Sequence, residues 1–343
     1  MTQITRKTQV LEGIAPDAIP FAELMAGDRP AILKGVARDW PLVRAGAQSN
    51  AAAMDYLLKF NAGKPVLAII ADAAHGGRFT YTPDVSALDF KFERGALGAF
   101  FDLIKAGEGA PDTPSYYIGS TDLDIYLPGF RAENDLALTH PMFAFKPPLA
   151  SIWLGNRTTA LAHYDMSNNL ACSLVGLRRF YLFPPEQVAN LYPGPLEPTP
   201  GGQVITMADI HAPDFTRFPR LKDALASAEV AELQPGDVLF YPALWWHQVE
   251  ALQSFNAMVN YWWNTSPAFM DTPNNTLLHA MLSLRDRPEH EKRGWRALFD
   301  YYIFGPSERA GEHLPEHTRG NLGPMDEMKA RRLRAALLKL INR

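Results

Sequence analysis

The amino-acid sequence predicts a mostly β fold, a sandwich or barrel of short strands with flanking helices and a helical C-terminal extension. Three observations carry this. Short apolar runs of four to eight residues recur, each broken by Gly or Pro. Proline is frequent, 28 of 343 residues, which disfavours long helical bundles and suits turns and edge strands. The hydrophobic content of 47% is that of a chain with an ordinary buried core.

Taken in order, residues 1 to about 62 are mixed. PDAIPFAELMAG begins as a helix, and RPAILKGVARDWP holds a strand over 31–34 closed by Gly35. A helix follows over 51–60, where Met54, Leu57 and Leu58 have helical spacing. From residue 66 β signals dominate. Strands are expected over 66–71, 78–82, 116–119, 151–154, 161–165, 169–175, 178–183, 238–241, 248–252 and 257–262, with one helix over 96–105. After Pro267 the pattern becomes helical again, in NNTLLHAMLSLRDR and MKARRLRAALLKLINR. The last segment places Leu333, Leu337, Leu340 and Ile341 on one face and carries Lys329, Arg331, Arg332, Arg334, Lys339 and Arg343. A helix packed on a core or a partner, with a solvated basic face, fits the mildly acidic whole.

Composition also narrows function. The net charge of −4 gives no bulk pull towards nucleic acid. Cys172 is the single cysteine; it allows neither an intrachain disulfide framework nor a Cys-rich zinc site. Its place in an apolar run predicts a small buried hydrophobe. MTQITRKTQVLEGIAPD has no apolar run like a signal-peptide core, and no stretch approaches the length needed to span a bilayer. A soluble cytoplasmic protein with no membrane partner is the expectation.

The chemistry concentrates at His163-Tyr164-Asp165 and His247. On a strand, residues i and i+2 share a face, so His163 and Asp165 can grip one metal ion together. A histidine from a separate strand completes two imidazoles and one carboxylate. That facial triad leaves positions open and is the geometry of non-haem Fe(II) oxygenases. His247 ends PGDVLFYPALWWH, where a turn and a strand can deliver a ligand rigidly. His75, His140, His211 and His279 have no partner at ligand spacing. Trp245, Trp246, Tyr261, Trp262 and Trp263 gather nearby. Trp262 shares a strand face with Asn260, and Trp262 and Trp246 are candidates for the substrate pocket.

The segments HYDMSNNLACSLVGLRRFYLFPPEQVANLYPGP, FTRFP, LQPGDVLFYPALWWHQVEAL and MVNYWWN occur in this order. Together they resemble the JmjC, cupin-like oxygenases, in particular the branch of the asparaginyl hydroxylase that acts on hypoxia-inducible factor. RPAILKGVARDWP extends the likeness upstream. The resemblance implies a double-stranded β-helix, the jelly-roll barrel, with Fe(II), O2 and 2-oxoglutarate as cofactor and cosubstrates. It implies His163, Asp165 and His247 as the catalytic metal ligands. Asn260, Asn169 and Tyr117 match polar residues near the cosubstrate, with Tyr116 the competitor of Tyr117. Two positions depart from the family pattern. Arg178 stands where a lysine pairs the far carboxylate of 2-oxoglutarate; arginine does this with a longer, planar fork, and alternation turns Arg179 to the other face. Ala160 replaces an expected threonine, so that hydrogen bond is lost or comes from Thr158 or Thr159.

The resulting expectation is a 2-oxoglutarate-dependent hydroxylase acting on a C–H bond of a protein, peptide or small molecule. Residues 1–268 form the catalytic domain with its N-terminal flank, and 269–343 form an extension that pairs two subunits in a homodimer. The apolar stripe Leu277, Leu278, Met281 and Leu282 serves that pairing. The alternatives are a metal-binding cupin without redox turnover, as sensor or scaffold, and a cupin enzyme that does not use 2-oxoglutarate.

Overall fold

From residue 149 onward the chain crosses between two sheets at nearly every strand, and this crossing winds the barrel. The computed structural model describes residues 4–342 apart from positions 111, 137 and 145. In chain order the strands are β1 (Gln9–Leu11), β2 (Ala31–Leu33), β3 (Val66–Ala71), β4 (Lys91–Gly95), β5 (Ser115–Asp122), β6 (Leu149–Gly155), β7 (Thr158–Tyr164), β8 (Asn168–Val175), β9 (Arg178–Phe183), β10 (Glu229–Leu233), β11 (Val238–Tyr241), β12 (Trp246–Ala251) and β13 (Asn256–Trp263). The larger sheet runs β1-β2-β11-β8-β13-β6-β5-β3-β4, and the smaller runs β10-β9-β12-β7. From β6 to β13 the chain passes between the sheets repeatedly, which makes a jelly roll with helical additions. Neighbours pair antiparallel, except β1 with β2.

The inner faces meet in a core of Ala171, Phe180, Leu182, Leu239, Tyr241, Val249 and Met258. The outer face of the larger sheet is covered by α2 (Pro41–Gln48), α3 (Asn50–Leu58) and α4 (Leu97–Ala106), which follow the short α1 (Phe21–Gly27) and precede the single turn α5 (Leu123–Tyr126). α2 presses on β8 at Gly46, where a Cβ would lie 2.9 Å from Val175. With both faces covered, every residue of β8 is buried. Its sequence NNLACSLV therefore reads as a continuous run rather than an alternation. Cys172 sits there, fully buried and unpaired.

The predicted strands are present with one exception. Residues 78–82 make only single bridges, Arg78 to Thr159 on the edge strand β7 and Tyr81 to Leu88. β1, β4 and β10 were not anticipated. β4, KFERG, is an exposed edge strand with no apolar alternation to mark it. α2 was also not anticipated; it starts with Pro41 at its first position, where a fixed φ and a missing N–H cost nothing.

The motif before His247 is anchored from below. Asp237 is 2% exposed. Its carboxylate accepts from Gly35 N at 2.9 Å, Gln234 N at 2.8 Å and Lys34 Nζ at 2.8 Å. Gly236 makes the preceding turn at φ +94°, and a Cβ there would lie 2.6 Å from Arg38 Cα. The long connection from β9 to β10, which ends in α6 (Leu221–Ser227), covers the outside of the smaller sheet. It packs Leu191, Val204, Ile210, Leu221 and Leu225 on Ala162, Phe183 and Trp246. Asp209 pairs with Arg78 and His211 with Glu250, which pin this connection to the barrel.

The chain divides at 264/265 into two compact units, Met1–Asn264 and Thr265–Arg343, against the expected 268/269. The second contains α7 (Pro273–Ser283), α8 (Glu289–Phe299), a π-helical turn over Asp300–Phe304 and α9 (Glu327–Ile341). Leu277, Leu278, Leu282, Trp295, Leu298, Leu337, Leu338, Leu340 and Ile341 are all exposed. Among the described residues no helix is long and apolar enough to cross a membrane.

Two measurements check these supports. Gly236→Ala forces a side chain into left-handed backbone against Arg38. It is expected to cost about 2 kcal/mol in urea unfolding with unchanged far-UV circular dichroism. His211 has its pKa raised, chiefly by the hydrogen bond to Glu250, with Asp209 adding to it and burial and Arg78 opposing. Arg179 and Glu232 share the same outer face. The protonated ring is the stabilising form. Its contribution is complete below the ordinary histidine value of 6.5 and fades as pH rises through the raised value. His211 is half-exposed, so the advantage of the native chain over His211→Asn should be about 0.5 kcal/mol at pH 5.5 and shrink as the pH is raised into the alkaline range. An advantage that grows with pH would contradict this.

Candidate active site

The site starts from a strand register. β12 lies between β7 and β9, and His247 is paired with His163 on one side and Leu182 on the other. The two imidazole centroids are 4.3 Å apart. Asp165 follows β7 directly, and one ligand atom from each of His163, Asp165 and His247 lies within 4.8 Å of the others. Among the described residues this is the one such group of three.

Both rings are held the same way. His163 Nδ1 lies 2.8 Å from the Leu161 carbonyl, and His247 Nδ1 lies 3.0 Å from the Trp245 carbonyl. A carbonyl only accepts, so each Nδ1 carries a proton, and in the neutral tautomer this fixes Nε2 as the atom with the free lone pair. Burial and the neighbouring His163 push His247 down to about 4, so its ring is neutral at physiological pH. Asp165 Oδ2 accepts from Trp262 Nε1 at 3.2 Å and lies 3.7 Å from His247 Nε2. The turn before β12 is also tied to this strand. Leu244 adopts φ +68°, and its N–H donates to the Asp165 carbonyl at 2.8 Å. Ala243 N donates to Asn168 Oδ1 at 3.1 Å. Two imidazoles and a held carboxylate, all convergent, are a donor set that fits a divalent transition metal.

These groups open into a cavity of about 210 Å3. Tyr117, Asn260 and Trp262 line it. Tyr116 instead packs into the helix-covered core. Asn169 lies behind Asn260 and accepts its Nδ2 at 3.0 Å. Arg178 projects inward, because it shares a face with Phe180 and Leu182 opposite Ala251, Val249 and His247. Arg179 faces outward and pairs with Glu232 at 3.0 Å. Trp246 is a correction. It neighbours His247 on the strand, so it points the opposite way and is buried with Phe183 and Leu225 outside the barrel.

The Ala160 departure is real in space. Ala160 lines the cavity, whereas Thr158 and Thr159 do not. β7 carries an extra residue here, since pairing passes from His247 with His163 to Val249 with Ala160. This bulge also brings Leu161 to the wall.

Several lining residues had no signal in the sequence: Phe79, Trp153, Gln203, Ile205 and Tyr241. Trp153 stacks on Tyr117 with centroids 5.4 Å apart and meets Trp262 edge-on at 5.8 Å. It can lie there because residue 119 is Gly; a Cβ would come within 2.5 Å of the indole. Tyr241 packs its ring 4.6 Å from that of His247. Burial pushes the phenols of Tyr117 and Tyr241 above their ordinary value, so both remain O–H groups.

Arg178 is the electrostatic anomaly. It is 3% exposed. Its Nε has no hydrogen-bond partner, and among the described residues no carboxylate pairs with it. Burial lowers its pKa to about 10, opposed by Tyr117 and Tyr241. A buried cation without a counter-charge is costly. Asn260 Oδ1 and Trp153 Nε1 are likewise buried without partners.

Comparison with known proteins agrees with this architecture. The family model described as "Cupin-like domain" matches residues 16–269. Among curated proteins, the HSPB1-associated protein 1 homolog of Danio rerio is 24% identical over 68% of this chain and 51% of its own length. Lysine-specific demethylase JMJ31 of Arabidopsis thaliana is 29% identical over 52% of this chain and 30% of its own. The tRNA wybutosine-synthesizing protein 5 of Danio rerio is 32% identical over 42% of this chain and 38% of its own. The chain thus spans about half or less of the length of these relatives. With three quarters of its length matched and the β-helix in place, the chain belongs to the cupin-like, JmjC-type domain family.

Proposed function

We propose that this protein is an Fe(II)- and 2-oxoglutarate-dependent oxygenase that hydroxylates a C–H bond of a protein, peptide or small-molecule substrate. The observation that carries the reading is Arg178, a buried guanidinium without a carboxylate of its own. Tyr117 and Tyr241 lie within reach of its charge, and both line the cavity that holds the His-Asp-His group. An anion with a second chelating end satisfies both needs, and 2-oxoglutarate has that form.

In this reading His163, Asp165 and His247 hold the metal from one side and leave the cavity side free. Bound iron supplies the redox chemistry of O2, coupled to conversion of 2-oxoglutarate to succinate and CO2. Arg178 pairs with the far carboxylate through its planar fork. Tyr117 and the Asn169–Asn260 pair orient the cosubstrate. Trp262 keeps one oxygen of Asp165 in place. Phe79, Trp153, Leu161, Ile205 and Met258 form an apolar wall that excludes water. The names of two relatives, a lysine-specific demethylase and a tRNA-modifying protein, support a macromolecular substrate and keep RNA in any substrate panel.

The test is succinate formation with Fe(II), O2 and 2-oxoglutarate against a panel of peptides, metabolites and tRNA. His163→Ala is expected to abolish turnover. Arg178→Ala is expected to raise the KM for 2-oxoglutarate about 100-fold while iron content stays unchanged. Protein that binds Fe(II) but neither binds nor consumes 2-oxoglutarate with any panel member would instead support a cupin without this chemistry.

We also propose that the second unit pairs two copies. Leu277, Leu278 and Leu282 on α7, with Leu337, Leu340 and Ile341 on α9, expose a large apolar surface for one chain. Sedimentation equilibrium at micromolar concentration should give twice 38.2 kDa, and a mass of one chain would refute the pairing.

A further inference from the structure

The polar groups beside the metal-site residues do not choose their directions independently. One backbone carbonyl sets them in series. Asn169 Nδ2 donates to the Ser167 carbonyl at 2.8 Å. The carbonyl cannot donate, so the Asn169 amide has one orientation and its Oδ1 faces Asn260. Asn260 Nδ2 donates to that oxygen at 3.0 Å, and also to the Tyr241 hydroxyl at 3.3 Å. The Tyr241 oxygen is therefore the acceptor in this contact, and its own proton must point elsewhere. Among the described residues nothing accepts it. Tyr241 is 2% exposed, lines the cavity, and has His247 on one side and Phe180 on the other. Asn260 Oδ1, 2% exposed as a residue, also has no donor. A buried hydroxyl proton without an acceptor is costly, a cost that a ligand oxygen removes.

We infer that Tyr241 is a further anchor of the anionic cosubstrate, donating its hydroxyl proton to a cosubstrate oxygen between the metal-site residues and Arg178. Asn169 is the positioning residue that sets this polarity through Asn260. The inference rests on the oxygenase reading above. It also accounts for Ala160. That residue lines the cavity without a hydroxyl, and Tyr241 restores a donor from the opposite sheet. β11 contributes to the larger sheet and β7 to the smaller.

The test is calorimetric titration of 2-oxoglutarate into Mn(II)-loaded protein, which needs no turnover. Tyr241→Phe keeps the ring and removes only the proton donor. It should weaken 2-oxoglutarate binding about tenfold while Mn(II) affinity is unchanged. Asn169→Ala frees Asn260 to turn and accept the Tyr241 proton. It should weaken binding similarly, and the double variant should be no worse than either single one. Additive losses, or equal losses in Mn(II) affinity, would mark Asn169 as merely structural and overturn the relay. If Tyr241→Phe does not fold, Asn169→Ala decides alone: unchanged affinity overturns the inference. Tight binding by both the native protein and Tyr241→Phe overturns the inference and leaves the oxygenase reading standing. No binding by the native protein overturns both.

Discussion

The pairing of β12 with β7 and β9 is the constraint on which the site depends. It sets His247 opposite His163 and aligns Arg178, Phe180 and Leu182 with the same interior. A slip of one residue would turn His247 outward and bring Trp246 and Gln248 into the barrel. Both faces oppose that slip. Trp246 is locked into the outer cluster with Phe183 and Leu225, while Val249 is part of the inner one. The long connection after β9 reinforces the outer cluster. Asp237 fixes the turn that feeds β11 and hence β12. Packing far from the chemistry thus holds two imidazoles within reach of one carboxylate.

Within that frame the barrel tolerates an electrostatic liability. Most of its buried polar groups are satisfied, yet Arg178, Asn260 Oδ1 and Trp153 Nε1 are not. Asn260 and Trp153 line the cavity and Arg178 faces the same interior, while Thr8 Oγ1, Asn256 Oδ1 and Trp263 Nε1, equally without partners, lie outside its lining. The three at the cavity are groups that a bound ligand can complete. The cavity also explains itself from its apolar side. Gly119 lets Trp153 lie flat on Tyr117, and Trp262 closes the edge while holding Asp165.

Much of the metal group could be read from the sequence, because period-two geometry is strict. His163 and Asp165 share a face, and Arg178 and Arg179 oppose each other, on spacing alone. The same rule excludes Trp246 once His247 is placed inside, since neighbours on a strand point apart; the sequence reading did not apply it there. Tyr241 and Trp153 were beyond reach for a different reason. β11 is buried on both faces and β6 nearly so, and a strand without alternation does not say which residues look inward. The bulge in β7 similarly re-aims Ala160 and Leu161, and a bulge leaves no mark in a short apolar run. Gln203 and Ile205 come from a long connection whose path depends on ion pairs between distant residues, Arg78 with Asp209 and His211 with Glu250.

On the proposed reading the charge of Arg178 is matched by a bound dicarboxylate and by no carboxylate among the described residues. Thermal unfolding of the native protein and Arg178→Met, each with and without Mn(II) and 2-oxoglutarate, tests it most directly. Removing an unpaired buried charge should leave the free variant at least as stable as the free native protein. Adding the dicarboxylate should raise the melting temperature of the native protein and leave the variant unmoved. A free variant that melts several degrees lower, with 2-oxoglutarate stabilising both proteins equally or neither, would contradict it.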